Sequence, residues 1–279
     1  MNGELPRLSC NAHCHVFGPA RLFPFDPLSP LPAAEAPKEA LFALNDALGL
    51  ERCVIVQSKV HGYDNAATED AIASRPETYR GIALVPTDVS GAELKRLDQA
   101  GFRGVRFNYM HHLGAGDDIL AVMSLVRRIS RLGWHVQVHG DPGVVLDEIV
   151  PRLLTGPVPV VIDHIGRIDA ALGFDQPHFN VLRRLMDHPA CWIKVSGIDR
   201  ITRKGPPYAD AVTFARTLVS EYTDRVVWGS DWPHPNHQGP IPDDHELVRR
   251  IFDIAPDETA RHALMVTNPA RLYGFGENV

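Results

Sequence analysis

The chain has 279 residues, of which 44% are hydrophobic and 22% charged, the composition of a globular protein that can bury a large core. Its formal net charge of -6 argues against nucleic acid or an anionic membrane surface as a partner. No apolar stretch approaches the roughly 20 residues of a membrane span, and the N-terminus lacks a signal-peptide pattern, so we predict a cytoplasmic protein that binds no membrane.

Eight short runs rich in β-branched residues recur along the chain and predict eight strands. Each run is apolar almost without interruption, as parallel strands are when both faces of their sheet are covered. The runs cover residues 8–17, 52–60, 80–87, 104–110, 134–140, 159–166, 191–197 and 225–234.

Segments with helical spacing separate most of these runs. The clearest is 119–129, whose apolar residues recur with a 3.6-residue period before Gly133. Strands that alternate with helices predict a parallel sheet, and eight repeats favour closure into a (β/α)₈ TIM barrel. No GxGxxG motif follows the first strand, which counts against a dinucleotide-binding fold. We expect residues 1–279 to form a single domain, as a monomer or a homodimer.

The segment 18–37 is rich in proline and cannot form a regular helix. It is longer than an ordinary connection between a strand and a helix, and such loops tend to be functional. In a TIM barrel, an irregular loop after the first strand would lie over the catalytic face.

Polar residues collect at the carboxyl ends of the predicted strands, where TIM barrels carry their active sites. Burying so many polar groups at one end of a barrel without a role would be costly, so we interpret them as an active site. They are His13 and His15 on strand 1, Ser58 after strand 2, Arg106 and Asn108 on strand 4, His139 on strand 5, Asp163 and His164 on strand 6, Lys194 and Ser196 on strand 7, and Asp231 on strand 8.

This pattern of HxH on strand 1, histidines on strands 5 and 6 and aspartate on strand 8 resembles the amidohydrolase superfamily. Within it, the chain resembles the 2-pyrone-4,6-dicarboxylate lactonase group over nearly its whole length. The matching stretches include NAHCHVFGP, VIVQSKVHGYDN, GFRGVRFN, VIDHIGR, WGSDWPHPN and NPARLYGF. WGSDWPHP together with HxH distinguishes this group from most barrels, but does not separate one substrate from another within it.

The resemblance implies hydrolysis of a small carboxylated lactone, such as 2-pyrone-4,6-dicarboxylate, a muconolactone or a sugar-acid lactone. It implies that Asp231 is the general base for water, while His13, His15 and His164 polarise the carbonyl group. Ester cleavage by water needs such a base and a stabiliser of the oxyanion. Arg106 and Arg200 would bind substrate carboxylates, whose geometry the guanidinium fork matches. The remaining candidates for substrate binding are Ser58, Lys59, Asn108, His112 and Trp232. Instead of contacting the substrate, Trp232 could equally form a wall of the loop.

Two positions depart from the lactonase pattern. His112 stands where that group has a second arginine, which weakens the case for the same dicarboxylate; Lys59 or His112 is a candidate for the missing positive charge. His139 stands where the lactonase has a tyrosine. That second change restores the ligand set of metal-binding amidohydrolases.

Both a metal-free site and a site with one divalent metal ion are compatible with these residues. The lactonase group works without metal, whereas His13, His15, His139 and Asp231 form a donor set that suits one Zn²⁺ or Mn²⁺. Arg106 and Asn108 occupy the end of strand 4, where a metal-bridging lysine would be needed, so a binuclear centre is not expected.

Three other functions stay open at this level. A metal-dependent, non-oxidative decarboxylase uses a similar set of histidines and aspartate. A lactone isomerase transfers the acyl group to a hydroxyl group instead of to water. A catalytically silent binding protein is the third, and the complete set of site residues argues against it.

Overall fold

The computed structural model describes residues 3–31, 34–113 and 116–276. Eight strands form one sheet in chain order, and each strand is parallel to the next. The strands are β1 (Cys10–Cys14), β2 (Arg52–Val56), β3 (Tyr79–Ala83), β4 (Phe102–Tyr109), β5 (His135–Gly140), β6 (Val160–Ile162), β7 (Cys191–Lys194) and β8 (Val226–Val227).

Hydrogen bonds between β1 and the segment that follows β8 close the sheet into a barrel. The backbone N–H of Ala12 donates to the carbonyl of Trp228, and that of Asp231 donates to the carbonyl of His13, both at 2.8 Å. The predicted (β/α)₈ barrel is therefore confirmed. All four cysteines are buried and free, as expected for a barrel whose strands are covered on both faces.

Helices follow the strands on the outside of the barrel. They are α1 (Lys38–Leu48), α2 (Ala66–Ser74), α3 (Gly91–Gln99), α4 (Ile119–Ile129), α5 (Pro142–Val144), α6 (Val150–Leu153), α7 (Pro177–Met186), α8 (Ile198–Ile201), α9 (Ala209–Glu221), α10 (Asp244–Ile254), α11 (Glu258–His262) and α12 (Asn268–Tyr273). Two π-helical turns, Val145–Ile149 and Ala263–Thr267, join α5 to α6 and α11 to α12. No helix in the described part of the chain is both long and apolar enough to cross a bilayer.

The helix with the clearest sequence pattern, α4, has the predicted bounds. Val122, Val126 and Ile129 are fully buried on its apolar stripe. The side chain of Asp118 accepts a hydrogen bond from the N–H of Ala121 at 3.0 Å and so caps the first turn. Gly133 adopts φ 69° after the helix, a left-handed conformation that glycine enters at little cost.

The sequence pattern did not predict α2, and it overestimated the length of several strands. The segment of α2, AATEDAIAS, is built largely from alanine and polar residues, so its apolar stripe is weak. β6 ends at Ile162 and β8 at Val227, well before the apolar runs end. Beyond these ends the chain turns sharply, and His164 and Asp231 adopt φ values of 50° and 66°. Non-glycine residues in this region carry backbone strain, which is common at functional sites.

Residues of the proline-rich loop line cavities at the carboxyl ends of the strands. Phe17 and Ala36 form an antiparallel bridge at its base. Between them, Leu31 reaches the wall of the cavity described below. Pro32 and Ala33, which belong to the same predicted loop, lie outside the described residues.

A buried histidine in the barrel makes the stability of the fold sensitive to acid. Both ring nitrogens of His135 lack a hydrogen-bond partner among the described residues, and burial lowers the pKa of His135 to about 3. In the unfolded chain, this side chain takes up a proton at about pH 6.5, whereas in the folded chain it stays neutral down to about pH 3. Between about pH 6.5 and about pH 3, falling pH therefore favours unfolding, by about 1.4 kcal/mol per pH unit for this one group.

Replacing His135 with leucine, which is similar in size and cannot take up a proton, should reduce this loss. Between about pH 6.5 and about pH 5, we expect the variant to lose about 2 kcal/mol less free energy of unfolding than the wild type. Urea denaturation at the two pH values measures the difference. The exposed His245→Leu serves as the control, and equal pH dependence in His135→Leu and the wild type would contradict the assignment.

Candidate active site

A cavity of about 60 Å³, which we call the catalytic cavity, lies at the carboxyl end of the barrel. Ten of the residues proposed from the sequence line it: His15, Ser58, Lys59, Arg106, Asn108, His112, His139, His164, Arg200 and Asp231. His13 lies next to the same carboxylate as His15 and is fully buried. The barrel therefore brings together side chains that are more than two hundred positions apart in the sequence.

Three imidazole rings surround the carboxylate of Asp231. Its Oδ1 atom lies 3.2 Å from Nε2 of His15, 3.6 Å from Nε2 of His13 and 3.8 Å from Nε2 of His164. The two histidines of β1 converge because residues two apart on a strand point to the same side. On the other oxygen of Asp231, Oδ2, the Nε atom of Arg200 donates a hydrogen bond.

The charge of this carboxylate is set by its neighbours. Burial by itself raises the pKa of Asp231, but the positive charge of Arg200 opposes burial most strongly, and the pKa lies well below its usual range. Asp231 is therefore ionised throughout the neutral pH range. Burial lowers the pKa of His13 to about 3 and that of His164 well below its usual value, so both rings are neutral there.

The contacts of the Nδ1 atoms of His13 and His15 decide which ring nitrogen of each histidine carries the proton. Nδ1 of His15 lies 2.7 Å from the carbonyl oxygen of Val56, which can only accept, so Nδ1 carries the proton. Nδ1 of His13 lies 3.3 Å from the carboxylate of Asp163, which favours the same tautomer. Both Nε2 lone pairs then face the Oδ1 atom of Asp231, and Nε2 of His13 has no hydrogen-bond partner among the described residues.

This convergence of lone pairs fits a divalent cation. His13, His15 and Asp231 offer ligand atoms that all lie within 4.8 Å of one another. Metal-bound histidines usually donate their other N–H to a carboxylate or a backbone carbonyl. Nδ1 of His15 donates to the carbonyl of Val56, and Nδ1 of His13 lies beside the carboxylate of Asp163. His139, the fourth predicted ligand, is not part of this group; its Nδ1 lies 3.3 Å from Oδ1 of Asn108.

The carboxylate of Asp163 contacts several side chains of the site. Its Oδ2 accepts hydrogen bonds from Nε of Arg106 at 3.0 Å and from Nε2 of Gln137 at 2.9 Å. Nζ of Lys194, which is fully buried, lies 3.8 Å from Oδ1 and donates to the Oε1 atom of Gln137 at 2.8 Å. The sequence placed Asp163 and Lys194 at strand ends but gave neither a role. Strand pairing brings them together in a way that no local pattern reveals.

The last histidine of the set, His164, is held by its own partner. Its Nδ1 lies 2.9 Å from Oγ of Ser196, and its ring centroid lies 5.2 Å from that of His139. Ser196 was also noted at a strand end without an assigned role. Its hydroxyl group fixes the ring so that Nε2 faces Asp231.

Trp232 does not belong to the cavity lining. Its partly buried ring packs against two apolar clusters that contain Val16, Phe17 and Val60. This position fits the alternative interpretation, that Trp232 walls the loop. The reason is the sharp turn at Asp231, after which the chain continues beside the end of β1.

Arg167 is a cavity residue that the sequence pattern did not predict. It lines the cavity, yet among the described residues it has no hydrogen-bonding or ion-pairing partner for its guanidinium group. Burial lowers its pKa, and the nearby Arg200 lowers it further. The VIDHIGR stretch contained Arg167, but its orientation depends on the left-handed turn at residues 164–167.

At the mouth of the cavity, Nδ2 of Asn236 donates to Nε2 of His112 at 3.1 Å. Nζ of Lys59 donates to the carbonyl oxygen of Leu113 at 2.7 Å. Lys59 and His112 are the two candidates for the positive charge that the lactonase group has as a second arginine. They therefore lie on the same side of the cavity, where three chain segments meet.

Comparison with known proteins agrees with this architecture. The amidohydrolase family model matches residues 10–275. A 2-pyrone-4,6-dicarboxylate hydrolase of Comamonas testosteroni is 42% identical, with 97% of this chain and 91% of the relative covered. A 4-sulfomuconolactone hydrolase of Rhizobium radiobacter is 37% identical over 97% and 91% of the two chains, and a D-galactarolactone isomerase of Agrobacterium fabrum is 30% identical over 98% and 93%.

A solved structure from Pseudomonas putida has the same fold. Its assignment as a 2-pyrone-4,6-dicarboxylic acid hydrolase is provisional. It is 31% identical and has a TM-score of 0.85, with 97% of this chain and 99% of that chain covered. From the family match and these relatives, we conclude that the chain belongs to the amidohydrolase family.

Proposed function

We propose that the protein hydrolyses a small anionic lactone by attack of water that Asp231 activates. The observation that carries this proposal is the ionised, buried carboxylate of Asp231, which lies 3.2–3.8 Å from three imidazole nitrogens beside a cationic cavity. The names of the relatives, two of which act on dicarboxylate or sulfonate lactones and one of which is an isomerase, support the same substrate class.

The reaction needs few groups. Asp231 takes a proton from water as the water oxygen attacks the lactone carbonyl carbon. The neutral imidazole of His164, whose pKa is too low for it to be protonated, stabilises the oxyanion by hydrogen bonding. The ring C–O bond then breaks, and the proton held by Asp231 passes to the departing oxygen, which gives an open-chain hydroxy acid.

The cavity also supplies the charge that an anionic lactone requires. Lys59, Arg106, Arg167 and Arg200 line it, against the single carboxylate of Asp231. The Nε atoms of Arg106 and Arg200 each donate a hydrogen bond to an aspartate of the protein. Arg167 has no such partner among the described residues, which makes it a further candidate to bind a substrate carboxylate bidentately.

A low pKa makes Asp231 a weak base, and a divalent metal ion would offset this weakness. If Zn²⁺ or Mn²⁺ is bound, Nε2 of His13, Nε2 of His15 and Oδ1 of Asp231 would hold it, on the donor geometry described above. Such an ion lowers the pKa of bound water to about 7. The tautomers of His13 and His15 favour binding of such an ion, whereas the positive charge of Arg200 beside Asp231 disfavours it.

Two alternative reactions would use the same groups. If a hydroxyl group of the substrate replaces water, the product is an isomeric lactone, the outcome that the name of the Agrobacterium relative describes. If a carboxylate is lost instead, the product is carbon dioxide and a decarboxylated acid. Proton NMR of the product separates the three, because only hydrolysis yields an open-chain acid.

The test is a panel of 2-pyrone-4,6-dicarboxylate, muconolactone and galactarolactone, each incubated with the purified protein. Metal analysis of the same protein, and parallel assays with and without a chelator, test the metal proposal separately. Ring opening of at least one lactone is expected. An isomeric lactone, carbon dioxide, or unchanged substrate throughout the panel would contradict hydrolysis.

Arg200→Met tests the contact between the guanidinium group and the base. Loss of this charge should raise the pKa of Asp231 and move the acidic limb of the kcat/KM profile up by about one to three pH units. KM for a carboxylated lactone should rise as well, if Arg200 also binds the substrate. Arg200→Lys keeps the charge and should leave the limb nearly in place. A limb that does not move in Arg200→Met would remove Arg200 from its role beside the base.

A further inference from the structure

A second cavity, which we call the side chamber, lies next to the catalytic cavity. Its volume is about 250 Å³, against about 60 Å³ for the catalytic cavity. The two share a wall of four residues: Lys59, Arg106, Asn108 and Leu113. The side chamber extends from this wall to the ends of β2 and β3, below residues 26–30 of the proline-rich loop.

The catalytic cavity is small for a substrate on its own. Ligand sites in proteins usually measure about 300–1,000 Å³, and the catalytic cavity falls well short of this range. The side chamber supplies most of the missing volume at the point where Arg106 faces both spaces. A substrate held against Arg106 can therefore extend across the shared wall.

Beyond the shared wall, one side of the side chamber is lined by apolar residues. Leu84 and Val85 follow β3 and are each 5% exposed, so they form a firm inner wall. Leu28 and Tyr63, at 87% and 58% exposure, are large hydrophobic residues left open to solvent beside it. Exposed apolar side chains that gather around a cavity are typical of a binding groove.

Beyond the shared wall, the charged groups of the side chamber are acidic, whereas those of the catalytic cavity are mainly basic. The side chamber contains the carboxylates of Asp26 and Asp117. Burial raises the pKa of Asp117, and the nearby Lys59 opposes this shift. A second carboxylate on the substrate would meet these groups at a cost, whereas an uncharged group would not.

We propose that the substrate places its anionic groups in the catalytic cavity and an uncharged, mainly apolar ring substituent in the side chamber. This inference rests on the proposed lactone hydrolysis and names the substrate class more closely: a carboxylated lactone with an alkyl or aryl substituent. The apolar inner wall selects for the substituent, and Asp26 and Asp117 select against a carboxylate at its far end.

A series of carboxymethyl butenolides tests the proposal, with hydrogen, methyl or propyl as the ring substituent. Each buried carbon should raise kcat/KM about fourfold, so the propyl compound should exceed the unsubstituted one by about 60-fold. A substituent that ends in a carboxylate should lose this advantage. Asp117→Asn should restore part of it by raising kcat/KM for that compound alone.

Two variants fill the side chamber from opposite sides. Val85→Phe and Leu28→Trp should each reduce the propyl advantage to less than about fivefold, because the added ring occupies the volume that the substituent needs. Leu28 is exposed, so its variant keeps the test valid if Val85→Phe misfolds. Val144→Phe, at a partly exposed position that lines neither cavity, should keep the full advantage.

The outcomes separate this inference from the proposed function. If the wild type opens the butenolides without a preference for size, or if both filled variants keep the preference, the side chamber is not the substituent site and lactone hydrolysis still stands. If the wild type opens none of these butenolides and none of the lactones in the wider panel, lactone hydrolysis and this inference both fail.

Discussion

Asp231→Asn should lower kcat by about 10³- to 10⁴-fold, the upper part of the range for the loss of a general base. The amide keeps the size of the side chain and can still contact Nε2 of His15, but it cannot accept a proton from water. It would also weaken any metal site, because Oδ1 of Asp231 belongs to the candidate ligand group. Steady-state kinetics on the best lactone of the panel measures the effect.

The matched control for this variant is Asp244→Asn. Asp244 pairs with His234 at 3.3 Å on the same side of the barrel, but it does not line the catalytic cavity. Its variant should keep kcat within about threefold, since surface and near-surface substitutions usually have small effects. Near-normal turnover in Asp231→Asn, with a cooperative melting transition, would rule out Asp231 as the base.

Asp163→Asn should reduce the free energy of unfolding by about 3–5 kcal/mol, because it leaves buried cations without their counter-ion. Burial by itself raises the pKa of Asp163, but His13, Arg106 and Lys194 outweigh it and hold the pKa well below its usual range. The carboxylate is therefore charged in the folded protein. Urea denaturation at neutral pH measures the loss.

The double variant Asp163→Asn with Lys194→Met separates a charge effect from a packing effect. Burial lowers the pKa of Lys194 to about 8, so the buried ammonium group is unfavourable even with the carboxylate of Asp163 nearby. If the missing counter-ion is the cause, removal of the ammonium group should recover at least about half of the lost stability. A double variant that is less stable than Asp163→Asn would show that the two side chains act through packing instead.

The Asp163 variants should also alter catalysis. In Asp163→Asn, the amide can present its N–H to Nδ1 of His13, which would favour the tautomer with the proton on Nε2. His13 would then point a proton, not a lone pair, at Asp231. We expect kcat to fall in both Asp163→Asn and the double variant, even where stability recovers, because neither restores the carboxylate beside His13.

The fold could be predicted almost completely from the sequence. Eight apolar runs that alternate with helical segments specify a closed parallel barrel, because each strand must be covered on both faces. α2 escaped prediction since its alanine-rich segment has little contrast between its faces. The predicted strands end too late, because buried apolar residues such as Ile165 and Trp228 continue the apolar runs beyond the strands.

What the sequence determined by itself is the set of residues around Asp231, since the carboxyl ends of parallel strands must meet at one end of a barrel. The tertiary structure alone decided which of them touch: it leaves Trp232 outside the cavity lining and His139 outside the group of three ligand atoms, and it brings Asp163, Lys194 and Arg167 into the network. These contacts join strands far apart in sequence and depend on left-handed turns beyond the regular strands. No local pattern encodes them, because the direction of a side chain after such a turn is set by the packing of its neighbours.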